Sequence, residues 1–243
     1  MPVLLGVNRD EAGVLGPLFP TTNLTYAITE LGAAIGVNAT AILESGDFPL
    51  GTGPGTNATL HVFNTTTRID TDSGFTCSNQ FTAYAGVKTG ALPHVWFYQF
   101  NRTYQDPAYN TNGVCGAPVT PTHPNGDPFQ EYFKCHAGDL ANTFGNVARV
   151  GFPDRDGLDA PFGQLVTDYW TTFARNLNPN PDLAYLQARG YWNTANQVAV
   201  SGPWDQVDAK SPRQMMLQWN SRMIPFSDIE QCAVLGQPID KLL

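Results

Sequence analysis

Apolar positions along the chain change their spacing several times, and each change marks an element. Pro2-Val3-Leu4-Leu5-Gly6-Val7 is a continuous apolar run too short for a helix, and it turns polar at once in Asn8-Arg9-Asp10-Glu11. Such a run predicts a strand buried on both faces, with its polar exit at the carboxyl edge of a sheet, where α/β proteins build their sites. Residues 22–36 predict a helix capped by Thr or Asn, the Gly-, Thr- and Pro-rich stretch 45–67 predicts exposed loop, and 73–88 predict a second helix. Val95, Trp96, Phe97, Tyr98 and Phe100 form a dense aromatic run that ends at Asn101, a second buried strand expected beside the first. A long loop over 103–130, strewn with Pro, Gly and Asn, then delivers the chain to His136. Phe162, Leu165, Val166, Tyr169, Trp170 and Phe173 recur at helical spacing, and Asn-Leu-Asn-Pro-Asn-Pro closes that helix. A short apolar stretch over 197–204 and a helix near 213–222 complete the order, with no internal repeat.

Composition narrows the partners. The chain has 243 residues, 42% of them apolar and only 14% charged, with a net charge of −8. That suits a compact, loop-rich globular chain and gives no electrostatic footprint for nucleic acid or anionic lipid. No run approaches the roughly 18 apolar residues that a membrane helix needs. Acceptor sequons at Asn23, Asn38, Asn57, Asn64 and Asn101 point to a secretory route and to glycosylation. Cys77, Cys115, Cys135 and Cys232 fit two disulfides in an oxidising compartment; three connectivities are open, Cys115 with Cys135 is favoured, and free buried thiols are the alternative. A secreted composition beside an opening that lacks a signal peptide leads us to expect that Met1 is not the natural start.

Few residues could carry chemistry. A serine hydrolase needs a histidine to take the nucleophile's proton and a carboxylate to orient that histidine. Glu11 and His136 each follow a strand or the loop after it, so the fold could bring them together across a long sequence separation, with Asp10 as a further acid candidate. Asp72 is expected to cap a helix, Asp139 to sit at a helix N-terminus, and Tyr98 and Phe100 to pack in the core. His61, His94 and His123 lack metal-ligand spacing with one another or with cysteines, so no metal site is expected.

Several of these segments resemble one family. Gly6-Val7-Asn8-Arg9-Asp10-Glu11-Ala12-Gly13 resembles the acid segment of type-B carboxylesterases, the cholinesterase-like family. Asp72 to Cys77, Cys135-His136-Ala137-Gly138-Asp139 through Phe144-Gly145, and Tyr169-Trp170 through Phe173-Ala174 to Asn178-Pro179-Asn180 resemble later segments in the same order. Gln218-Trp219-Asn220 resembles the family's last helix, and the sequon-dense style is similar to secreted fungal members. The resemblance implies an α/β fold, the C-terminal portion of an α/β-hydrolase, with the last strands of the central sheet. It also implies ester hydrolysis through an acyl-enzyme, a small-molecule or lipid ester substrate, no cofactor, and Glu11 and His136 as the acid and base of a Ser-Glu-His triad. The family's Gly-x-Ser-x-Gly elbow occurs nowhere in the chain. The expectation is therefore a chain whose nucleophile-bearing N-terminal half is absent and which is inactive alone. The alternatives are a catalytically dead cholinesterase-like binding module and an independent small secreted glycoprotein.

Overall fold

The computed structural model describes residues 1–16, 19–51, 57–110 and 112–240. Its centre is a four-stranded sheet in the order β1 (Val3–Asn8), β2 (Val95–Phe100), β3 (Arg213–Leu217), β4 (Arg222–Pro225). The first three strands run parallel, and β4 returns antiparallel to β3. Val3 lies opposite Val95 and Asn8 opposite Phe100, so the two polar exits leave the same edge of the sheet.

Alternation along β2 explains the layers. Trp96 and Phe100 point into a cluster with Phe162, Leu165, Val166 and Tyr169 of α6 (Asp159–Asn176), while Val95 and Phe97 point into another with Ala83 of α4 (Cys77–Thr89) and Phe226. Helices on both faces leave β2 almost wholly buried, which is why it reads as an unbroken apolar run. Each large side chain buried this way is worth about 1.5–3 kcal/mol of transfer free energy, so the apolar stripe of α6 outweighs any capping contribution to that helix. In β1, at the open edge, Val3, Leu4, Leu5 and Gly6 are only half-buried. Gly6 is required where β1 meets β2, because a Cβ there would fall 2.4 Å from the Tyr98 ring.

Between β1 and β2 run α1 (Leu24–Ile35), α2 (Ala39–Ser45), α3 (Ala58–Thr71) and a π turn (Asp72–Thr76) that enters α4. The exposed loop expected over 45–67 is therefore corrected: its last residues belong to α3, whose Val62, Phe63 and Thr65 to Thr67 are buried, and residues 52–56 of that expectation lie outside the described residues. The remaining helices are α5 (Leu140–Thr143), α7 (Leu183–Ala188), α8 (Trp192–Ser201) and α9 (Ile229–Val234). Of the apolar stretch over 197–204, residues 197–201 are the second half of α8 and 202–204 follow it. The helix expected near 213–222 is corrected to β3, a turn and β4, so Gln218-Trp219-Asn220 is a turn and not a last helix. Gln214 to Leu217 are buried because the sheet needs a third parallel strand beside β2.

Two disulfides close the chain. Cys77 pairs with Cys232, joining α4 to α9 across 155 residues, and Cys115 pairs with Cys135 across 20. No helix among the described residues is long and apolar enough to cross a membrane.

Candidate active site

Glu11 enters the site because β1 ends at Asn8 and the chain tightens into a 3-10 turn over Glu11–Gly13. His136 enters because the segment 132–136 is laced to that turn. The Asp10 amide donates to the Lys134 carbonyl at 3.0 Å, the Lys134 amide donates to Asp10 Oδ2 at 2.7 Å, and the His136 amide donates to the Glu11 carbonyl at 3.3 Å. Gly13 lies against the Cys115–Cys135 disulfide so closely that a Cβ would stand 2.6 Å from Cys135 Sγ. Behind the disulfide, Phe63 and Phe133 form a small apolar cluster that fixes the base of the loop.

These constraints bring Glu11 Oε2 within 2.8 Å of His136 Nδ1, although 125 residues separate them. The other carboxylate oxygen, Oε1, accepts the Asn8 backbone N–H at 2.7 Å. Glu11 has a side-chain exposure of 8% and His136 one of 46%, so the acid is sealed and the imidazole opens to its surroundings. Burial raises the Glu11 pKa, while the Asn8 amide and His136 pull it back. Nδ1 is held by the carboxylate, and among the described residues Nε2 has no hydrogen-bond partner. Among the described residues no serine hydroxyl is hydrogen-bonded to His136.

Asn8 is the site residue that sequence reasoning missed. Its Nδ2 donates to the Cys135 carbonyl at 2.9 Å and to Asp139 Oδ1 at 3.0 Å, so one buried amide ties the strand exit to both sides of the histidine. The only sequence signal was a polar residue closing an apolar strand. Asp139 does sit at a helix N-terminus, that of α5, where its side chain makes no capping bond and instead accepts from Asn8. Gln105 Nε2 donates to the His136 carbonyl at 3.2 Å, and Ala137, next in sequence, takes a left-handed φ of 64°. The Phe75 ring centroid lies 5.6 Å from that of His136.

Other candidates fall elsewhere. Among the described residues Asp72 caps no helix with its side chain and its Oδ2 has no hydrogen-bond partner; it is buried at the π turn, and burial pushes its pKa well up. It lines a polar cleft of about 410 Å³ with Arg9, Arg68 and Asp228, which His136 does not line. A hollow of about 300 Å³ bordered by Ala137, Leu140, Phe144 and Phe152 lies next to the histidine instead. Tyr98 and Phe100 are packed against Trp170. Oxygens of Asp154, Asp156 and Asp159 lie within 4.8 Å of one another, but Asp156 and Asp159 already accept from the guanidinium groups of Arg102 and Arg155. Lys134 is buried with its Nζ donating to the Tyr132 carbonyl at 2.6 Å; burial, helped by Arg9, brings its pKa down to about 8.

The mixed four-stranded sheet with helices on both faces is an α/β fold. Three solved structures share it. The crystal structure of Aspergillus niger EstA matches with a TM-score of 0.63 and 18% identity, over 97% of this chain and 39% of that one. A thermophilic PNB esterase matches with a TM-score of 0.55 and 17% identity, over 96% of this chain and 38% of its own. Another PNB esterase structure gives 0.55 and 16%, over 97% and 38%. The chain thus spans less than two-fifths of the length of these structures. No protein-family profile and no curated protein matches it. The two disulfides are compatible with an oxidising compartment.

Proposed function

We propose that this chain supplies the acid and the general base of a serine-type carboxylic ester hydrolase, with Glu11 as acid and His136 as base. The observation that carries the reading is the 2.8 Å contact between buried Glu11 and half-exposed His136 at the carboxyl edge of the sheet. The esterase-like neighbours support it, and so does the order of the family-like segments. The nucleophilic serine and its oxyanion donors come from polypeptide outside this sequence, which contains no Gly-x-Ser-x-Gly.

In the reaction, His136 Nε2 takes the serine proton as the serine oxygen attacks the ester carbonyl. Glu11 stabilises the resulting imidazolium, which then protonates the departing alcohol, and water hydrolyses the acyl-enzyme by the same route. The substrate is a small-molecule or lipid ester, and no cofactor takes part.

The test uses the 243-residue chain and a longer polypeptide that adds a nucleophile-bearing N-terminal portion. The chain alone should neither hydrolyse p-nitrophenyl esters nor be labelled by a serine-reactive fluorophosphonate. The longer polypeptide should do both, and His136→Ala in it should lower kcat about a thousandfold or more. Labelling of the isolated chain would overturn the proposal, as would a longer polypeptide indifferent to His136.

A further inference from the structure

The five sequons fall into two groups once folded. Asn23, Asn38 and Asn57 are exposed, and the threonines that complete their sequons, Thr25, Thr40 and Thr59, are exposed or half-exposed. Asn64 and Asn101 are half-buried, and their partners Thr66 and Thr103 are 2% and 0% exposed. All five carry threonine in the third position, so the acceptor sequence itself does not separate them.

Side-chain chemistry separates them further. Asn23 Oδ1 accepts the Tyr26 amide at 3.0 Å, Asn38 Oδ1 the Ala41 amide at 3.1 Å, and Asn57 Oδ1 the Thr59 amide at 3.0 Å. Each cap uses the oxygen, and among the described residues none of the three engages Nδ2. Glycan transfer uses the other atom. A bond forms between Nδ2 and the anomeric carbon of an oligosaccharide, the bond from that carbon to the pyrophosphate of its lipid carrier breaks, and Nδ2 gives up one proton. The cap survives because Oδ1 is untouched. At Asn101 both ends of the amide are committed: Nδ2 donates to Gln218 Oε1 at 2.7 Å and Oδ1 accepts from Arg9 Nη1 at 3.1 Å, across the edge of the sheet. At Asn64 the backbone of Gly51 lies over the side chain, so closely that a Cβ on Gly51 would stand 2.1 Å from Asn64 Oδ1.

We propose that Asn23, Asn38 and Asn57 carry N-linked oligosaccharides in the folded protein, and that Asn64 and Asn101 remain unmodified. This stands apart from the hydrolase reading. The chain is expressed behind a secretion leader in a yeast that glycosylates its exported proteins. The fraction that resists thiol alkylation without reductant, in which both disulfides are closed, is collected from medium or cell. Glycopeptides are mapped by enzymatic deglycosylation in heavy-oxygen water, which marks each released asparagine as a labelled aspartate. The expected result is label at positions 23, 38 and 57 and none at 64 and 101. Label at 64 or 101 in that fraction, or its absence from any of the three, would overturn the assignment. Thr40→Ala supplies a second reading: it destroys one sequon but keeps the Asn38 cap, so it should remove one glycan while both disulfides still close. An unchanged glycan number would count against the proposal.

Discussion

The cluster of Arg102, Arg155, Asp156 and Asp159 and the pair Glu11–His136 each take a carboxylate out of water, yet they are built to opposite rules. Arg102 meets Asp156 with two N–H groups at 2.8 and 2.9 Å and reaches Asp159 at 2.6 Å, while Arg155 meets Asp159 through both Nε and Nη2. All four side chains are at most 4% exposed. Burial alone would raise the Asp159 pKa, but the hydrogen bonds and charge of Arg155, with Arg102, hold it below the usual carboxylate range. Glu11 is also buried, but its partner offers a single bond and turns a free nitrogen outward. The first arrangement spends nearly all of its hydrogen-bonding capacity on itself, with Arg102 Nε the exception among its described groups, and serves to hold the fold. The second leaves capacity unspent, and that is what a catalytic base requires.

The largest effect should come from breaking the closed cluster. Asp159→Ala leaves the buried guanidinium of Arg155 without a carboxylate, and a buried charge stripped of its partner costs about 3–5 kcal/mol. Urea unfolding of the variant should show that loss; a change within about 0.5 kcal/mol would mean that the cluster is not the anchor described here.

Lys134 lies between the two extremes, a buried cation held mainly by one carbonyl. Its pKa is lowered to about 8, so between about pH 8 and the ordinary lysine value near 10.4 the unfolded chain binds the proton that the folded chain has released. Stability should therefore rise with pH across that window, by on the order of 1–3 kcal/mol. Lys134→Met should flatten the rise and add stability at neutral pH. A slope that persists in the variant would place its origin elsewhere.

The smallest change in stability belongs to the open pair. Glu11 has a raised pKa, so the folded chain holds that proton more tightly than the unfolded chain does, and the group's contribution to stability is lost as pH climbs through the carboxylate range to the raised value. Glu11→Gln should remove that slope and alter stability at neutral pH by less than about 1 kcal/mol. A loss as large as that of Asp159→Ala would erase the distinction between the two regions.

What the sequence disclosed follows the same physical lines. The strand β2 was legible because a strand covered on both faces must be apolar throughout, β1 because its run is just as apolar although its first four residues stay half-buried, and α6 because its stripe repeats at helical spacing. The helix α3 was hidden: its Thr65-Thr66-Thr67 run has weak helical preference, and Thr65 and Thr66 satisfy their hydroxyls by bonding back to carbonyls of the preceding turn. Met215, Met216 and Leu217 are good helix formers that became a strand because a third parallel partner beside β2 outweighs local preference. Glu11 and His136 were within reach, one at a strand exit and both inside family-like segments. Asn8 was not, because its amide gains meaning only when the fold brings Cys135 and Asp139 to it across more than a hundred residues.

The central claim is that Glu11 holds His136 with its proton on Nδ1 and leaves Nε2 bare. Nitrogen-15 NMR of the imidazole reads this in the chain as it stands, at about pH 8, above the ordinary imidazole pKa. The account predicts a protonated Nδ1 and an unprotonated Nε2. In Glu11→Gln, the oxygen of the amide stays with the Asn8 N–H and its NH2 group must donate to Nδ1, so the proton should move to Nε2. A proton already on Nε2 in the unaltered chain, or a tautomer indifferent to Glu11→Gln, would contradict it.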